Sequence, residues 1–118
     1  MLDQRPATTV FAWLVCMDGS ERGRIYPLRP DTTTVGRVAG NDIVVPDDAC
    51  SSQHLKIRLE TTESGDASFV LIDMASRNGT YVGSKETYRN PSSRVYRHVL
   101  HDGDHLLLGE TTLVFKKV

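Results

Sequence analysis

Between residues 54 and 60 the sequence alternates strictly between polar and apolar side chains. Successive side chains of a β-strand point to opposite faces of a sheet, so Leu55, Ile57 and Leu59 would share the buried face. The longer segment 47–64 lacks helix breakers, but a helix would repeat its apolar residues every three or four positions. The period of two therefore predicts a strand here and favours a fold built from strands.

Short apolar segments with strand character recur along the rest of the chain. They lie at residues 11–17, 69–72, 106–108 and 113–115, and segment 11–17 is apolar enough to predict burial on both faces. Segment 95–100 has helix-like spacing, but it is short and contains two valines, so it is also interpreted as a strand. Turn dipeptides separate these segments: Asp18-Gly19, Gly65-Asp66, Asn78-Gly79 and Asp102-Gly103. The pattern predicts an all-β fold, an antiparallel β-sandwich or barrel.

The length of the chain predicts a single domain. At 118 residues it is too short for two ordinary domains, yet long enough to bury a core of its own. Residues 1–9 are predicted to be a flexible tail before a domain that spans residues 10–118, and the polar stretch 84–94 is predicted to be an exposed loop. Cys16 and Cys50 lack the spacing of a zinc or redox motif and are expected to be buried free thiols.

The charge and hydropathy of the chain argue against several kinds of partner. A net charge of −1 is unlike that of general nucleic-acid or anionic-membrane binders, which usually carry a clear basic excess. No apolar segment approaches the roughly 18 residues that a membrane span needs, and the N-terminus has no signal-peptide pattern. We therefore expect a cytoplasmic protein that binds neither nucleic acid nor membranes, so any anion site must be built by a few placed residues.

Three polar clusters stand next to predicted strands, where the loops of a sandwich gather. They are Gly36-Arg37, Ser51-Ser52-Gln53-His54 and Ser76-Arg77-Asn78-Gly79-Thr80. If these loops converge, they bring together two guanidinium groups, two serine hydroxyls and an amide, which are donors that suit a phosphate group. None of these groups is a strong nucleophile with an obvious base beside it. The sequence therefore predicts a site that holds a phosphate without cleaving it.

The alternatives to a phosphate-binding site are an enzyme active site and a metal site. The chain lacks the G-x-S-x-G, G-x-x-x-x-G-K-[ST] and H-E-x-x-H motifs, so neither catalytic residues nor a cofactor is predicted. His98, His101 and His105 lie close in sequence beside Asp102 and Asp104, a composition that would suit zinc. Because Asp102-Gly103-Asp104 is predicted to be a turn between strands, the three rings are expected to diverge, and no metal site is predicted.

The motifs and their order resemble the forkhead-associated (FHA) domain family over most of the chain. Members of that family carry, in order, Gly-Arg, Asn-Asp-Ile, Ser-x-x-His, Asp-x-x-Ser-x-Asn-Gly-Thr, and a late Asp-Gly-Asp before Leu-Gly. The matching residues here are Gly36-Arg37, Asn41-Asp42-Ile43, 51–54, 73–80, Asp102-Gly103-Asp104 and Leu108-Gly109. The resemblance implies a β-sandwich of about eleven strands whose loops at one end bind a phosphothreonine peptide.

The resemblance also assigns roles to individual residues. Arg37 and Ser51 are expected to contact the phosphate, and Asn78 to hydrogen-bond the peptide backbone beside the phosphothreonine. The residues expected to support the site structurally are Gly36, His54 and Gly79. The histidine would brace the loops by hydrogen bonds. The implied function is recognition of a phosphothreonine-containing protein or peptide, the substrate of a Ser/Thr kinase, in intracellular signalling.

Two positions depart from the family pattern. Ser52 stands where members often carry Arg, Lys or Asn, and Arg77 stands where they often carry Thr or Ser. Ser52 stays a candidate contact as an uncharged donor, while Arg77 either restores the missing charge next to Asn78 or points into water. Because a fold alone does not determine a function, the alternative is a phosphorylation-independent protein–protein adaptor on the same fold.

Overall fold

Eleven strands form the framework of the chain from residue 12 to residue 118, the range that the computed structural model describes. They are β1 (Ala12–Cys16), β2 (Ile25–Pro27), β3 (Thr32–Gly36), β4 (Ile43–Val44), β5 (Leu55–Thr61), β6 (Ala67–Asp73), β7 (Thr80–Gly83), β8 (Arg94–Val95), β9 (Arg97–Val99), β10 (His105–Leu108) and β11 (Thr111–Lys117). Two short 3-10 helices, Gly19–Glu21 and Pro91–Ser93, lie between strands. The tail predicted at residues 1–9 lies outside the described residues.

The strands form two sheets that enclose one core. The larger sheet has the order β2-β1-β11-β10-β7-β8, and the smaller sheet has the order β4-β3-β5-β6-β9. The strand pairs are antiparallel except for β3 and β4, which run parallel. The all-β sandwich of eleven strands expected from the sequence is therefore confirmed, with one parallel pair at the edge of the smaller sheet.

The core is filled by alternate side chains from the two sheets. In β5, Leu55 and Ile57 are buried while Arg58 is exposed, which confirms the alternation seen in the sequence. Phe69 and Phe115 bring one ring from each sheet into contact, with ring centroids 5.8 Å apart and planes at 60°. Removal of this apolar surface from water is the main force that holds the two sheets together.

Strand β1 corrects one expectation. The sequence predicts burial on both faces of segment 11–17, but within β1 only one face is fully buried. Ala12, Leu14 and Cys16 face the core, whereas Trp13 and Val15 are half-buried on the opposite face. In a sandwich of two layers each sheet has one core-facing side, so even a uniformly apolar strand leaves alternate residues on the outside.

Segment 95–100 forms strands, as predicted, but the chain divides it between the two sheets. β8 pairs with β7 in the larger sheet, and β9 pairs with β6 in the smaller one. Tyr96 lies at the crossover between them and is 65% exposed. Val95 and Leu100 pack on the same core from the two sides of this crossover, whereas Tyr96 and Val99 are exposed.

The loop between β7 and β8 is less exposed than its composition predicts. Tyr88 is buried, its hydroxyl oxygen lies 3.0 Å from Thr112 Oγ1, and its ring centroid lies 5.2 Å from that of His105. The prediction of an exposed loop at 84–94 is therefore wrong at Tyr88. One aromatic side chain in a polar stretch is enough to anchor the loop on the outer face of the larger sheet.

Two expectations drawn from composition concern thiols and membranes. Cys16 and Cys50 are both free and buried, as predicted. Burial raises the pKa of the Cys50 thiol to about 12, so this thiol stays protonated and unreactive at neutral pH. Across residues 12–118, no helix has the length and apolar character needed to cross a membrane.

Candidate functional site

Three loops meet at one end of the sandwich. They are loops 36–41, 46–54 and 73–80. The Arg37 N–H donates to the Ser51 carbonyl (3.0 Å), and the Arg77 N–H donates to Ser51 Oγ (2.9 Å). Asn78 Nδ2 donates to the carbonyl of Ala49 (2.9 Å). The structure thus brings the three polar clusters of the sequence together, with Ser51 in contact with both neighbouring loops.

The Arg37 side chain is oriented by the loop that precedes β5. Its Nε donates to the carbonyl of Cys50 (3.1 Å), and its Nη2 donates to Ser52 Oγ (3.1 Å). Within residues 12–118, Nη1 has no hydrogen-bond acceptor. The guanidinium is therefore held in place before any ligand arrives, which lowers the entropy lost when it binds an anion.

Two serine hydroxyls are carried by the loop that holds this guanidinium. Ser51 Oγ accepts the Arg77 N–H, and Ser52 Oγ accepts the Arg37 Nη2–H. A hydroxyl that accepts one hydrogen bond still has its own proton to donate. Ser51 is half-buried and Ser52 is exposed, so both can donate to an anion that approaches from solvent.

Arg77 and Asn78 present their side chains to an open groove of about 590 Å³, which Asp48 and Glu110 also line. Asn78 uses one amide N–H on the backbone, which leaves its amide oxygen and its second N–H for a ligand. The Arg77 guanidinium is exposed and has no hydrogen-bond or ion-pair partner within residues 12–118. It can therefore move toward a ligand without breaking a protein contact.

His54 is fully buried and connects two of the loops. The Ser51 N–H donates to His54 Nδ1 (3.0 Å), and His54 Nε2–H donates to the Gly79 carbonyl (2.9 Å), so the ring is the neutral tautomer. Burial lowers the pKa of the His54 imidazole, and the Gly79 carbonyl opposes this effect only in part. The ring therefore holds Ser51 and the Asn78-Gly79 turn in one relative position.

Gly36 and Gly79 occupy positions where a side chain does not fit. A Cβ at Gly36 would lie 2.2 Å from the Ser52 carbonyl oxygen, and one at Gly79 would lie 2.8 Å from Arg94 Nε. Gly79 also has a φ of +85°, a conformation that favours glycine. Gly36 thus lets β3 approach loop 46–54, the serine loop that carries Ser51 and Ser52, and Gly79 lets Arg94 rest against the 73–80 loop.

Asp73 stabilises the loop 73–80 by accepting hydrogen bonds from residues of the same loop. Its carboxylate accepts the Ser76 N–H (3.1 Å), the Ser76 hydroxyl (2.5 Å) and the Thr80 hydroxyl (2.7 Å). Burial opposes ionisation of Asp73, but these hydrogen bonds outweigh burial and leave its pKa below the ordinary value. Ala75 has a φ of +56°, an uncommon value for alanine that the closed turn stabilises.

The histidine-rich turn before β10 differs from its prediction. His98 Nε2 and His101 Nδ1 lie 3.4 Å and 3.9 Å from Asp104 Oδ2, and these three residues offer ligand atoms within 4.8 Å of one another. The prediction that the rings diverge is wrong for this pair, although His105 turns away from them. Asp104 also accepts the His101 N–H (2.8 Å), so it caps the turn. This cluster lies at the start of β10, and the three site loops meet near its end.

The arrangement of loops and polar residues can be compared with known proteins. The sequence pattern of the FHA domain family matches residues 33–109, which is more than half of the chain and includes all three loops of the site. The chain belongs to the FHA domain family. The resemblance inferred from the motifs is therefore confirmed, and FHA domains act as recognition modules, not as catalysts.

Curated relatives of this FHA domain are longer proteins. The oxoglutarate dehydrogenase inhibitor of Corynebacterium efficiens is 34% identical over 113 residues, which cover 96% of this chain and 69% of that protein. The glycogen accumulation regulator GarA of Mycolicibacterium smegmatis is 36% identical over 104 residues, which cover 88% of this chain and 58% of that protein. The chain thus spans about three fifths to two thirds of the length of these relatives.

Solved FHA domain structures superpose on most of the chain. One comes from a structural and functional analysis of phosphothreonine-dependent FHA domain interactions, with a TM-score of 0.73 and 31% identity over 90% of this chain and 95% of that one. An FHA domain from Arabidopsis thaliana gives a TM-score of 0.76 and 29% identity over 100% of this chain and 94% of that one. The two-sheet architecture is therefore that of the family.

Sequence reasoning gave no role to Asp47, which supports the site of this FHA domain. Its carboxylate accepts the N–H groups of Ala49 (2.8 Å) and Glu110 (2.7 Å) and the hydroxyl of Thr111 (2.8 Å). Burial would raise the pKa of Asp47, but these hydrogen bonds outweigh it and lower the pKa. The hydrogen bond to Ala49 closes a local turn, which an Asp at this position could have indicated from the sequence. The hydrogen bonds to Glu110 and Thr111 join distant parts of the chain.

Asn41 is a second supporting residue without an assigned role in the sequence. Its Nδ2 donates to the carbonyls of Val38 and Ser52, both at 2.8 Å. It therefore ties the loop after β3 to the serine loop, directly beside Arg37. The Asn-Asp-Ile motif was visible in the sequence, but only the folded chain shows which carbonyls the amide reaches.

Proposed function

We propose that this FHA domain binds a phosphothreonine in a partner protein or peptide and holds the phosphate without cleaving it. The observation that carries the proposal is the oriented guanidinium of Arg37: its Nε and Nη2 each donate to a protein acceptor, while Nη1 has no acceptor within residues 12–118. Charge-assisted hydrogen bonds from arginine to phosphate are about twice as strong as neutral ones. Ser51 and Ser52 place further donors beside this charge.

The remaining site residues take complementary roles in the proposal. Asn78 binds the peptide backbone through the part of its amide that the protein leaves free. Gly36, His54 and Gly79 support the loops without touching the peptide. The partner is a substrate of a Ser/Thr kinase, and the setting is intracellular signalling in the cytoplasm. Relatives that are named as an enzyme inhibitor and a metabolic regulator support this setting.

Recognition without catalysis also follows from the state of His54. A serine nucleophile needs a base that can take its proton, and His54 is the histidine beside Ser51. Both of its ring nitrogens are already engaged, with the Ser51 N–H and with the Gly79 carbonyl. The lone pair of His54 Nδ1 is used by the Ser51 backbone N–H, so it is not available to take a proton from the Ser51 hydroxyl. Binding a phosphate through guanidinium and hydroxyl donors requires no cofactor.

The test is a set of three peptides that differ only at the central residue: threonine, phosphothreonine and phosphoserine. We expect the phosphothreonine peptide to bind far more tightly than the threonine peptide in titration calorimetry, because only the phosphate meets the Arg37 charge. Phosphoserine is expected to bind more weakly than phosphothreonine by about 1 kcal/mol, the value of one well-buried methyl group. Equal binding of threonine and phosphothreonine would instead favour a phosphorylation-independent adaptor.

Arg77 supplies a second prediction, because Ser52 brings a hydroxyl where many family members bring a charge. A phosphate carries about −1.5 to −2 charges at neutral pH, so one arginine leaves it only partly neutralised. We expect Arg77→Ala to weaken phosphothreonine-peptide binding as much as Arg37→Ala does and to flatten its dependence on salt. The measurement is the dissociation constant at several ionic strengths.

The control for Arg77 uses the neighbouring loop. Replacing Ser52 by Arg in the Arg77→Ala variant should recover part of the lost affinity, because it returns one charge to the site next to Arg37. If Arg77→Ala binds the peptide like the wild type at low salt, the Arg77 guanidinium is a solvated surface group. The phosphate would then be bound by Arg37 and neutral donors alone.

A further inference from the structure

A third arginine lies against the candidate site. Arg94 is the first residue of β8, and β8 pairs with β7 so that Arg94 lies opposite Tyr81. Its side chain reaches back to Gly79, because a Cβ added there would lie 2.8 Å from Arg94 Nε and 3.0 Å from its Cζ. Since Gly79 directly follows Asn78, Arg94 borders the surface along which the peptide backbone is proposed to lie.

The position of the Arg94 guanidinium is restrained on a second side. Its Cζ lies 5.3 Å from the ring centroid of Tyr96, the exposed tyrosine at the crossover between the sheets. A cation stacked on an aromatic face keeps its N–H donors free, because the attraction comes from the ring itself. Gly79 and Tyr96 thus position this charge without using its hydrogen bonds.

The Arg94 charge also has no counterion within residues 12–118. Arg97, which lies three positions later and is likewise exposed, donates to Glu60 Oε1 at 2.6 Å. Across the same range, no carboxylate lies within ion-pair distance of Arg94. An exposed guanidinium that is positioned but not neutralised, next to a proposed peptide site, is suited to bind an anionic group of the ligand.

We propose that Arg94 and Tyr96 form a subsite for a carboxylate side chain, Asp or Glu, close to the phosphothreonine of the bound peptide. The inference rests on the proposed function, because the peptide must first be placed by Arg37 and Asn78. The guanidinium binds the carboxylate, and the exposed face of Tyr96 packs against the aliphatic part of the same side chain. This FHA domain therefore selects phosphothreonine sites in an acidic sequence context.

The exposure of Arg94 determines how large the preference for an acidic residue is expected to be. Arg94 is exposed, and exposed ion pairs contribute little because water and salt screen them. A Glu at the preferred position should strengthen binding by about twofold to fivefold over Gln at the same position. The subsite thus tunes the choice among phosphothreonine sites, while the phosphate contacts supply most of the affinity.

The experiment measures phosphothreonine peptides in which one Glu, Gln or Lys is moved through the positions on either side of the phosphothreonine. With the wild-type domain, one position should show the order Glu, then Gln, then Lys, and the preference should shrink as salt is raised. Arg94→Gln should remove the preference for Glu over Gln at that position, and this difference between two peptides is read separately from any general loss of attraction for the phosphate. Arg97→Gln is the matched control, since it removes an exposed arginine on β9 that is already paired with Glu60.

The outcomes separate this inference from the proposed function. If wild type binds the phosphothreonine and threonine peptides equally, the proposed function fails. If phosphate is required but no position prefers Glu, or if Arg94→Gln keeps the preference, the phosphate site stands and the Arg94–Tyr96 subsite is wrong. Tyr96→Leu provides a second variant, because it removes the stacked ring at an exposed position and should reduce the preference without unfolding the domain.

Discussion

Replacing Arg37 by alanine is expected to weaken phosphothreonine-peptide binding by about 2–4 kcal/mol, the range for loss of one partner of a desolvated charge-assisted contact. This corresponds to a dissociation constant raised by about 30-fold to 1,000-fold. The reason is that Arg37 supplies the oriented charge of the site, and its Nη1, which has no acceptor within residues 12–118, is left to donate to the phosphate. Titration calorimetry with wild type and variant measures the change directly.

Folding should survive this substitution. Arg37 is half-buried in a loop, and its side chain makes two hydrogen bonds, to the Cys50 carbonyl and to Ser52 Oγ. The thermal midpoint of Arg37→Ala should therefore stay within a few degrees of wild type. Arg37→Lys is the matched control: it keeps the charge but cannot hold both acceptors and bind phosphate in a fork, so its affinity should be intermediate. Unchanged peptide affinity in Arg37→Ala would contradict the proposed phosphate contact.

Replacing His54 by alanine should have the largest effect on stability. The ring is fully buried between two loops, and its loss leaves the Ser51 N–H and the Gly79 carbonyl without partners. Two unsatisfied backbone groups and a cavity together cost about 2–4 kcal/mol of unfolding free energy. We expect the melting temperature and the peptide affinity to fall together, whereas Ser51→Ala should lower mainly affinity. A wild-type melting temperature for His54→Ala would show that the ring does not brace the loops.

The same histidine predicts a dependence of stability on pH. Burial lowers the pKa of His54 below its ordinary value of about 6.5, so the unfolded chain takes up this proton at a higher pH than the folded domain. Its contribution is therefore fully present above about pH 6.5 and is lost as the pH falls below that value toward the folded pKa. Melting curves of the free domain between pH 7.5 and about pH 5 measure the loss, and they avoid the titration of the carboxylates.

Two variants of the site serve as controls for this pH effect. The stability of His54→Ala should vary less with pH in that window than the stability of wild type. Ser51→Ala, which removes no titratable group from the same loop, should retain the pH dependence of wild type. If wild type and His54→Ala lose stability in parallel on acidification, the assignment to His54 is wrong.

The local pattern of polar and apolar residues was sufficient to predict most of the strands. The alternation of Leu55, Ile57 and Leu59 predicts β5 because a half-buried strand repeats with a period of two. The motifs around Arg37 and Asn78 predict which loops carry the site, since their residue types suit an anion and their order matches a family. These features depend on neighbouring residues in the chain, so sequence alone reveals them.

Contacts between distant segments could not be predicted from the local pattern of the sequence. The division of segment 95–100 between two sheets, the burial of Tyr88 and the Asp47 bonds to Glu110 and Thr111 all join residues far apart in the chain. No periodicity or motif encodes such pairs, because each depends on where the rest of the core places its partner. The proximity of His98 and His101 to Asp104 has a different cause, because these residues are near in sequence and the geometry of the turn before β10 decides which way their side chains face.

The sequence by itself determined the all-β class, the family and the residues that were candidates for the site, because periodicity, turn chemistry and motif order are local properties. Only the tertiary structure decided that Arg37 is oriented by Cys50 and Ser52, and that Arg94 rests on Gly79. A guanidinium side chain is long and flexible, so its direction is set by the acceptors and rings that surround it after folding. For that reason the charge available to a ligand could be assigned only once the loops were seen together.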